Sequence, residues 1–549
     1  MKRKTILSAI TGAALLLLAA SCANDDTAQD NKNPEPGTEG LTAFIIEDNN
    51  PPAKGTATRT TAEYDGSGLN FYWTTGDRLW VNKATSGTPD LLQDKRNNIG
   101  EKLVNSTVTG GVQRAAMASF WFEGNFTANQ YKVRYTGQSG MGDRVTIAAS
   151  QTQTVPNDAS HLAINGDCGV ATAHRLSNNR YTFMLDHKAA YITFMPYTNQ
   201  GVVAGAKIQK IRVFTGNPSD ALAGTFDFDD NGTFSNPVGT SNSVELDVTG
   251  GSWNGGFSIP STSTYATNAA TMVVNPGTYS NVSIEYTLYD PVTQAIGTIT
   301  KTYPSITFTA GRNKRVKTDL QVTVYPHNTY YMWDAQQQYW YGHESSQPKP
   351  ENPSAPSDNS WPQSKATDPD RWYNDVPGYN DYTGAAPAVL PSHIAAGCPN
   401  VNELCWYVEN GDPHWDIELW ATMGHLYAGG MWFKKKGNIS GYSVTQAPDG
   451  IDYTRSTNTA LYSNNTITPG RPSNLNNYFY LPAFGIYNNG RLGGVGNSGI
   501  YWSSTPNSMY LAYDLILGSD RVSIGYNSRD TGVRLWNKNN EDQYRPDGL

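Results

Sequence analysis

From residue 41 to about residue 325 the chain arranges its apolar side chains in short β-favouring runs, each closed within a few positions by Asn, Gly, Asp or Pro. That punctuation leaves no room for a long amphipathic helix. Leu41-Thr42-Ala43-Phe44-Ile45-Ile46 is the first run. Leu69-Asn70-Phe71-Tyr72-Trp73 and Leu79-Trp80-Val81 flank a turn at Gly76-Asp77, and further runs occupy 118–122, 131–135, 145–148, 181–185 and 190–195. Short strands at such spacing bury one face each, so they predict an antiparallel β-sandwich over residues 41–203. A second series, at 208–214, 224–228, 244–248, 271–274, 282–289, 298–309 and 316–324, alternates in the same way and predicts a second sandwich over residues 204–325.

Residues 326–549 differ chemically, for ten of the 14 tryptophans fall there. A Ser/Pro/Asp-rich stretch at 345–370 precedes two predicted helices, 401–408 and 415–434, and then Gly-punctuated short strands. Large flat side chains fill a core with few residues, so a compact, loop-rich α+β domain fits better than a third sandwich. The expected fold class is mainly β, with two antiparallel sandwiches followed by this aromatic-rich α+β binding domain.

The amino end fixes the expected compartment. Lys2-Arg3-Lys4 is followed by an apolar run at 6–20 and by Ala19-Ala20-Ser21-Cys22. This is the pattern of a secretory signal over residues 1–21, and its close resembles the bacterial lipobox, in which the cysteine receives a diacylglycerol and becomes the first residue of the mature protein. Cys22 is therefore the expected lipidation site. Residues 22–40 are acidic, polar and Pro/Gly-bearing, the composition of a flexible tether. No other apolar stretch approaches the roughly 18–20 residues that span a bilayer, so the expected attachment is through lipid. The formal charge of −8, with no strong Lys/Arg cluster, argues against nucleic acid as a partner.

With Cys22 acylated, Cys168, Cys398 and Cys405 remain. An odd set allows one bridge at most, and Cys398 with Cys405 is the nearest pair. Seven residues along a helix rise about 10 Å, too far for a disulfide. The bridge therefore requires Cys398 in the turn before the helix; otherwise both thiols stay free.

Motifs with possible chemistry have plainer readings beside them. Gly494-Val495-Gly496-Asn497-Ser498-Gly499 matches a dinucleotide fingerprint, but Ile500-Tyr501-Trp502 continues as a strand, with no helix to meet a pyrophosphate. Asp227, Asp229, Asn231 and Gly232 follow the start of a calcium loop, yet its last ligand position holds Val238; a hairpin tip explains the same residues. The acidic stretch from Asp368 through Asp375 to Asp381 reads either as irregular calcium ligands or as a solvated loop. His187 reads as a strand-end residue bonded to backbone, with a ligand or base role as the rival. Ser346 to Lys349 matches Ser-x-x-Lys inside the Pro-rich linker. No metal, cofactor or catalytic constellation is indicated, and the chain is not expected to be an enzyme. The chemical surplus is aromatic: Tyr and Trp can stack on sugars or fill a protein pocket, or simply form core.

Several segments together resemble the fimbrillin superfamily, the lipoprotein subunits of type V pili. They are Cys22, Ala57-Thr58-Arg59-Thr60, Phe71-x-Trp73-x-x-Gly76-Asp77, Phe183-x-Leu185-x-His187-x-Ala189-Ala190 and Phe308-x-Ala310-Gly311-Arg312. The resemblance covers about residues 20–325 and implies transthyretin-like sandwiches on an outer-membrane lipoprotein at the cell surface. It also implies that a trypsin-like protease cuts after an arginine beyond the first strand, whose removal opens a groove for a donor strand of the next pilus subunit. Arg59 is then the processing site, rather than an exposed residue left uncut, and Leu41 to Ile46 is the strand lost; Lys54 lies nearby, but the family uses arginine. Segments Cys398 to Leu404, Leu481-Pro482-Ala483-x-Gly485, Tyr501 to Thr505 and Gly532-Val533-Arg534-Leu535-Trp536 resemble paralogous surface domains related to the C-type lectin fold. No sugar-selecting tripeptide is present; Glu351-Asn352-Pro353 has the wrong order. The resemblance thus implies a pilus tip or accessory adhesin whose partners are other pilus subunits and a host or bacterial surface protein or glycan. The alternative is an anchored binding lipoprotein that does not polymerise.

Overall fold

The computed structural model describes residues 37–46, 61–107, 112–176, 178–251, 255–375, 391–456 and 458–546. It is mainly β. Among the described residues the only helix longer than a single turn or so is Val401–Asn410. Asn400 caps that helix through the Glu403 backbone N–H while the Glu403 side chain returns to the Asn400 N–H.

The first core lies inside a sheet whose strands run in the order Leu91–Gln93, Trp80–Asn82, Gln130–Tyr135, Gly169–Arg175, Tyr181–Thr182, Leu41–Ile45, Ser119–Glu123 and Arg96–Asn97, with Asp186–His187 beside Gly169–Arg175. Its two edges are only Asp94 and Lys95 apart in the chain, so the sheet must curl back on itself. The Asp94 N–H donates to Leu79 O at 3.0 Å and the Lys95 N–H to Trp121 O at 2.7 Å, one toward each side of the gap. Phe44, Trp73, Val81, Phe120, Phe122, Val133, Tyr135 and Tyr181 fill the interior.

A second core is wrapped by several smaller sheets. Ser150–Thr152, Ser243–Asp247, Lys207–Thr215, Gly277–Tyr289 and Ile296–Phe308 form one, Ala270–Val274, Ala190–Phe194 and Asn313–Val316 another, and Arg144–Ile147 pairs with Ala223–Phe228 in a third. Strands from before residue 203 therefore join sheets with strands from after it, and Ala62, Phe71, Val145 and Ile192 share one core with Ile211, Val244 and Tyr286.

Three of the quoted segments converge where the two cores meet. The Phe71 ring lies 4.0 Å from the His187 ring. Gly311 has φ +66°, and a Cβ there would come within 2.5 Å of His187 O, so the Ala-Gly-Arg turn requires glycine. His187 is buried, its Nδ1 lying 2.7 Å from Asp167 Oδ1, which also accepts from the Tyr191 hydroxyl. The expected backbone partner of His187 is thus replaced by a carboxylate. Asp77, at the end of the Phe71 segment, is buried as well and accepts from the Tyr135 hydroxyl at 2.8 Å and the Thr74 N–H at 2.8 Å.

Beyond residue 325 the expected helix at 415–434 is instead a hairpin of His414–Thr422 and His425–Lys434, turned at Met423-Gly424, both in positive φ. Register shifts between Asp416 and Leu419, which breaks the alternation that marks a strand. Burial of several consecutive residues on both strands hides the period further. This hairpin belongs to a sheet with Tyr478–Pro482 and Thr323–Val324, while Ser498–Pro506, Leu511–Gly518 and Val522–Ser528 centre a second sheet. Six of the tryptophans here, Trp333, Trp340, Trp420, Trp432, Trp502 and Trp536, are fully buried and constitute core. Leu419, Ala421 and Leu426 of the hairpin pack into the second core.

Candidate functional site

The first strand, Leu41–Ile45, runs through the middle of the curled sheet. On one side it is antiparallel to Ser119–Glu123, with Leu41 opposite Glu123, Ala43 opposite Trp121 and Ile45 opposite Ser119. On the other it is parallel to Tyr181–Thr182, with Phe44 opposite Tyr181. The Phe183 N–H, at the head of the His187 segment, donates to Ile45 O at 3.2 Å. Removing the strand would leave backbone groups unpaired along both neighbours, the condition that favours strand addition.

Only one of its side chains is fully buried. Phe44 sits among Phe122, Phe126 and Tyr181, with ring centroids 5.0, 5.3 and 4.7 Å away; the Tyr181 ring is parallel to it and the other two are edge-on. The Tyr181 hydroxyl donates to Phe126 O and Ala128 O, which holds this wall in place. Leu41, Thr42, Ala43 and Ile45 are half-buried. Along the strand runs a cleft of about 570 Å³, bordered by Trp121, Asn125, Asn179 and Arg180.

The chain resumes after residue 60 in a separately anchored strand. Thr61–Tyr64 pairs with Leu69–Tyr72 and with Asp158–Ala159. Glu63 is buried against the Arg114 guanidinium, which also lies 3.8 Å from the Tyr72 ring centroid. The two described ends of the 47–60 segment are thus held by different sheets. Arg59 and Lys54 themselves lie outside the described residues, as do Cys22 and Asp381.

Other sequence-marked residues settle into structural roles. Cys398 and Cys405 are buried free thiols, Cys398 just before the helix and Cys405 inside it. Burial pushes the Cys398 thiol up to about 12. Cys398 stands in the turn before the helix, the position that a bridge to Cys405 would require. Asp229 Oδ1 accepts from the Asn231 and Thr233 N–H groups at the tip between Ala223–Phe228 and Phe234–Ser241, the hairpin reading. Asp368 is paired with the buried Arg371 and accepts from Gln363 N. The glycine run at 494–499 turns between two strands, Gly494 and Gly496 both in positive φ. Among the described residues no group of three or more His, Cys, Asp or Glu side chains is placed to hold a metal.

Sequence reasoning missed one cluster at the turn of the His414–Lys434 hairpin. His425 Nδ1 lies 3.1 Å from Asp290 Oδ2 and its Nε2 2.8 Å from Glu351 Oε1. Asp290 also accepts from the Leu426 N–H, and Thr293 Oγ1 donates to Leu426 O at 2.6 Å. Burial alone would lower the His425 pKa, but the Glu351 and Asp290 carboxylates on its two nitrogens raise it above its ordinary value. With an acceptor on each nitrogen, only the imidazolium can donate to both. The three residues lie 61 or more positions apart, in segments with no motif, so no local signal marked them.

No protein-family model matches the chain, and no curated protein matches it. Among solved structures, it is similar to a candidate cell adhesion protein from Bacteroides ovatus at 14% identity and a TM-score of 0.29, over 50% of this chain and 91% of that one. It is similar to the fimbrial anchor protein Mfa2 from Porphyromonas gingivalis at 10% identity and a TM-score of 0.19, over 48% and 83%. A fimbrial protein from Bacteroides ovatus aligns over 90% of this chain and 98% of its own, at 11% identity and a TM-score of 0.21.

Proposed function

We propose that this chain is a cell-surface fimbrillin-like lipoprotein that acts as a pilus tip or accessory adhesin. In this reading Cys22 carries the lipid that holds it to the outer membrane, a protease cuts after Arg59, and a donor strand from a neighbouring pilus subunit takes the place of Leu41–Ile45. The β body over residues 41–325 is of transthyretin-like sandwich type, its strands shared across residue 203, and residues 326–549 form a binding domain related to C-type lectins, which meets a surface protein or glycan by binding rather than catalysis.

The observation that carries this reading is the position of Leu41–Ile45, paired on both sides within the curled sheet while keeping one fully buried side chain. A strand held by two ladders and a single ring leaves a specific, apolar and hydrogen-bonding seat when it departs. The segment that follows it ends in an independently anchored strand, so cutting between them need not disturb the rest.

A second reading keeps the protein anchored and unpolymerised. The buried attachment of Leu419, Ala421 and Leu426 to the second core favours a body that presents its C-terminal residues in a fixed pose, with or without a pilus beneath it. N-terminal analysis of protein recovered from the cell surface separates the two: chains beginning at Thr60 support strand exchange, and a population beginning wholly at acylated Cys22 supports the anchored form.

A further inference from the structure

We infer that the seat of the first strand selects its occupant at one position, accepting an extended segment of another chain that places a phenylalanine where Phe44 sits. This rests on the strand-exchange reading above and adds the chemistry of the partner segment.

The selectivity follows from how unevenly the strand is held. Phe44 is 0% exposed and is the strand's sole fully buried side chain, so most of the side-chain burial available to an occupant is concentrated there. Its cage is built from rings on three sides, one stacked and two edge-on, an arrangement that rewards a flat aromatic over a branched aliphatic. Both Tyr181 hydroxyl bonds run to backbone carbonyls, so that ring cannot swing aside to admit something larger. A tyrosine would have to bury its own hydroxyl among the rings, which is costly without a partner.

The neighbouring position faces the other side. Ala43 opposes Trp121, and residues directly opposite on antiparallel strands project to the same face. Trp121 is itself covered by the Arg96 guanidinium, 6.0 Å from its ring, and is 6% exposed. Ala43 is half-buried and, with Leu41, Ile45 and Trp121, borders the open cleft, so this face leaves room for an occupant's side chain. At the exit of the strand the Ile46 N–H donates to Ala118 O while Phe183 N–H meets Ile45 O, and the next residues out, Met117 and Met184, are 43% and 61% exposed. A segment continuing beyond the strand would thus emerge beside two flexible apolar side chains suited to varied partners.

The test uses the full chain with an engineered protease site between residues 47 and 60, cut and then mixed with labelled synthetic peptides. The reference peptide is Gly40 to Ile46, and two others carry Phe44→Ala or Ala43→Trp. Binding is read by fluorescence anisotropy, with near-ultraviolet circular dichroism confirming that the cut chain stays folded. The expected result is exchange of the reference peptide, at least a hundredfold weaker binding of the Phe44→Ala peptide and binding of the Ala43→Trp peptide within about threefold of the reference. Equal binding of all three overturns the selectivity while leaving strand exchange standing. Failure of every peptide, with the original strand still in place, overturns exchange and selectivity together.

Discussion

The Phe44 ring stacks on the Tyr181 ring with centroids 4.7 Å apart and planes 11° apart, joining the first strand to a strand about 140 residues later in the chain. Phe44→Ala removes this contact and both edge-on contacts at once. Truncating a buried phenylalanine costs about 3–5 kcal/mol, so denaturant unfolding should show the first core destabilised by that order. Hydrogen exchange should rise across Ser119–Glu123 and Tyr181–Thr182 more than across the C-terminal sheets.

A single cut between residues 47 and 60 should leave the molecule folded. Leu41–Ile45 and Thr61–Tyr64 belong to different sheets, and neither depends on covalent continuity with the other. Limited proteolysis should give a nicked protein with both pieces co-migrating on gel filtration, separable under denaturing conditions.

The junction at His425 should depend on pH. Its pKa is raised in the fold, so its contribution is present below the unfolded value of about 6.5 and is lost as pH rises through the folded value. His425→Gln should cost about 1 kcal/mol at pH 5.5, and the gap to the parent chain should shrink by pH 8.5, measured by thermal unfolding at each pH.

Asp514 predicts a slope of the same sign from a different cause. Its carboxyl is fully buried, and desolvation pushes it up to about 7, against one bond from Asn527 Nδ2 at 2.6 Å. Between about pH 4, its unfolded value, and about pH 7 the folded form binds more protons, so its contribution to stability falls as pH rises. Asp514→Asn removes that penalty. The variant should be more stable than the parent by about 2 kcal/mol at pH 8 and indistinguishable from it near pH 3.5.

Much of the β architecture was legible because its signals are local. The first run at Leu41, the Phe71 to Asp77 segment and the strand at Ala190 each carry alternation or a turn dipeptide beside them, and the helix at Val401 carries its cap in Asn400 and Glu403. The hairpin at His414–Lys434 reads as a helix in the sequence because a bulge and two-sided burial remove the period that distinguishes strand from helix. The convergence of Phe71, His187 and Gly311, and the pairing of Asp290, His425 and Glu351, arise from tertiary contacts between distant segments. No spacing along the chain encodes them. His187 is marked in the sequence as a strand end, but its partner Asp167 lies 20 residues away with no mark of its own.

The central claim, that Leu41–Ile45 must leave for assembly, is tested most directly by locking the strand in. Leu41 and Glu123 are opposed across the antiparallel pair, at a separation where paired cysteines can bridge. A Leu41→Cys, Glu123→Cys chain, oxidised, should still be cut between residues 47 and 60 yet fail to enter high-molecular-weight surface assemblies, and reduction should restore entry. Assembly of the oxidised chain to the level of the parent would contradict the account.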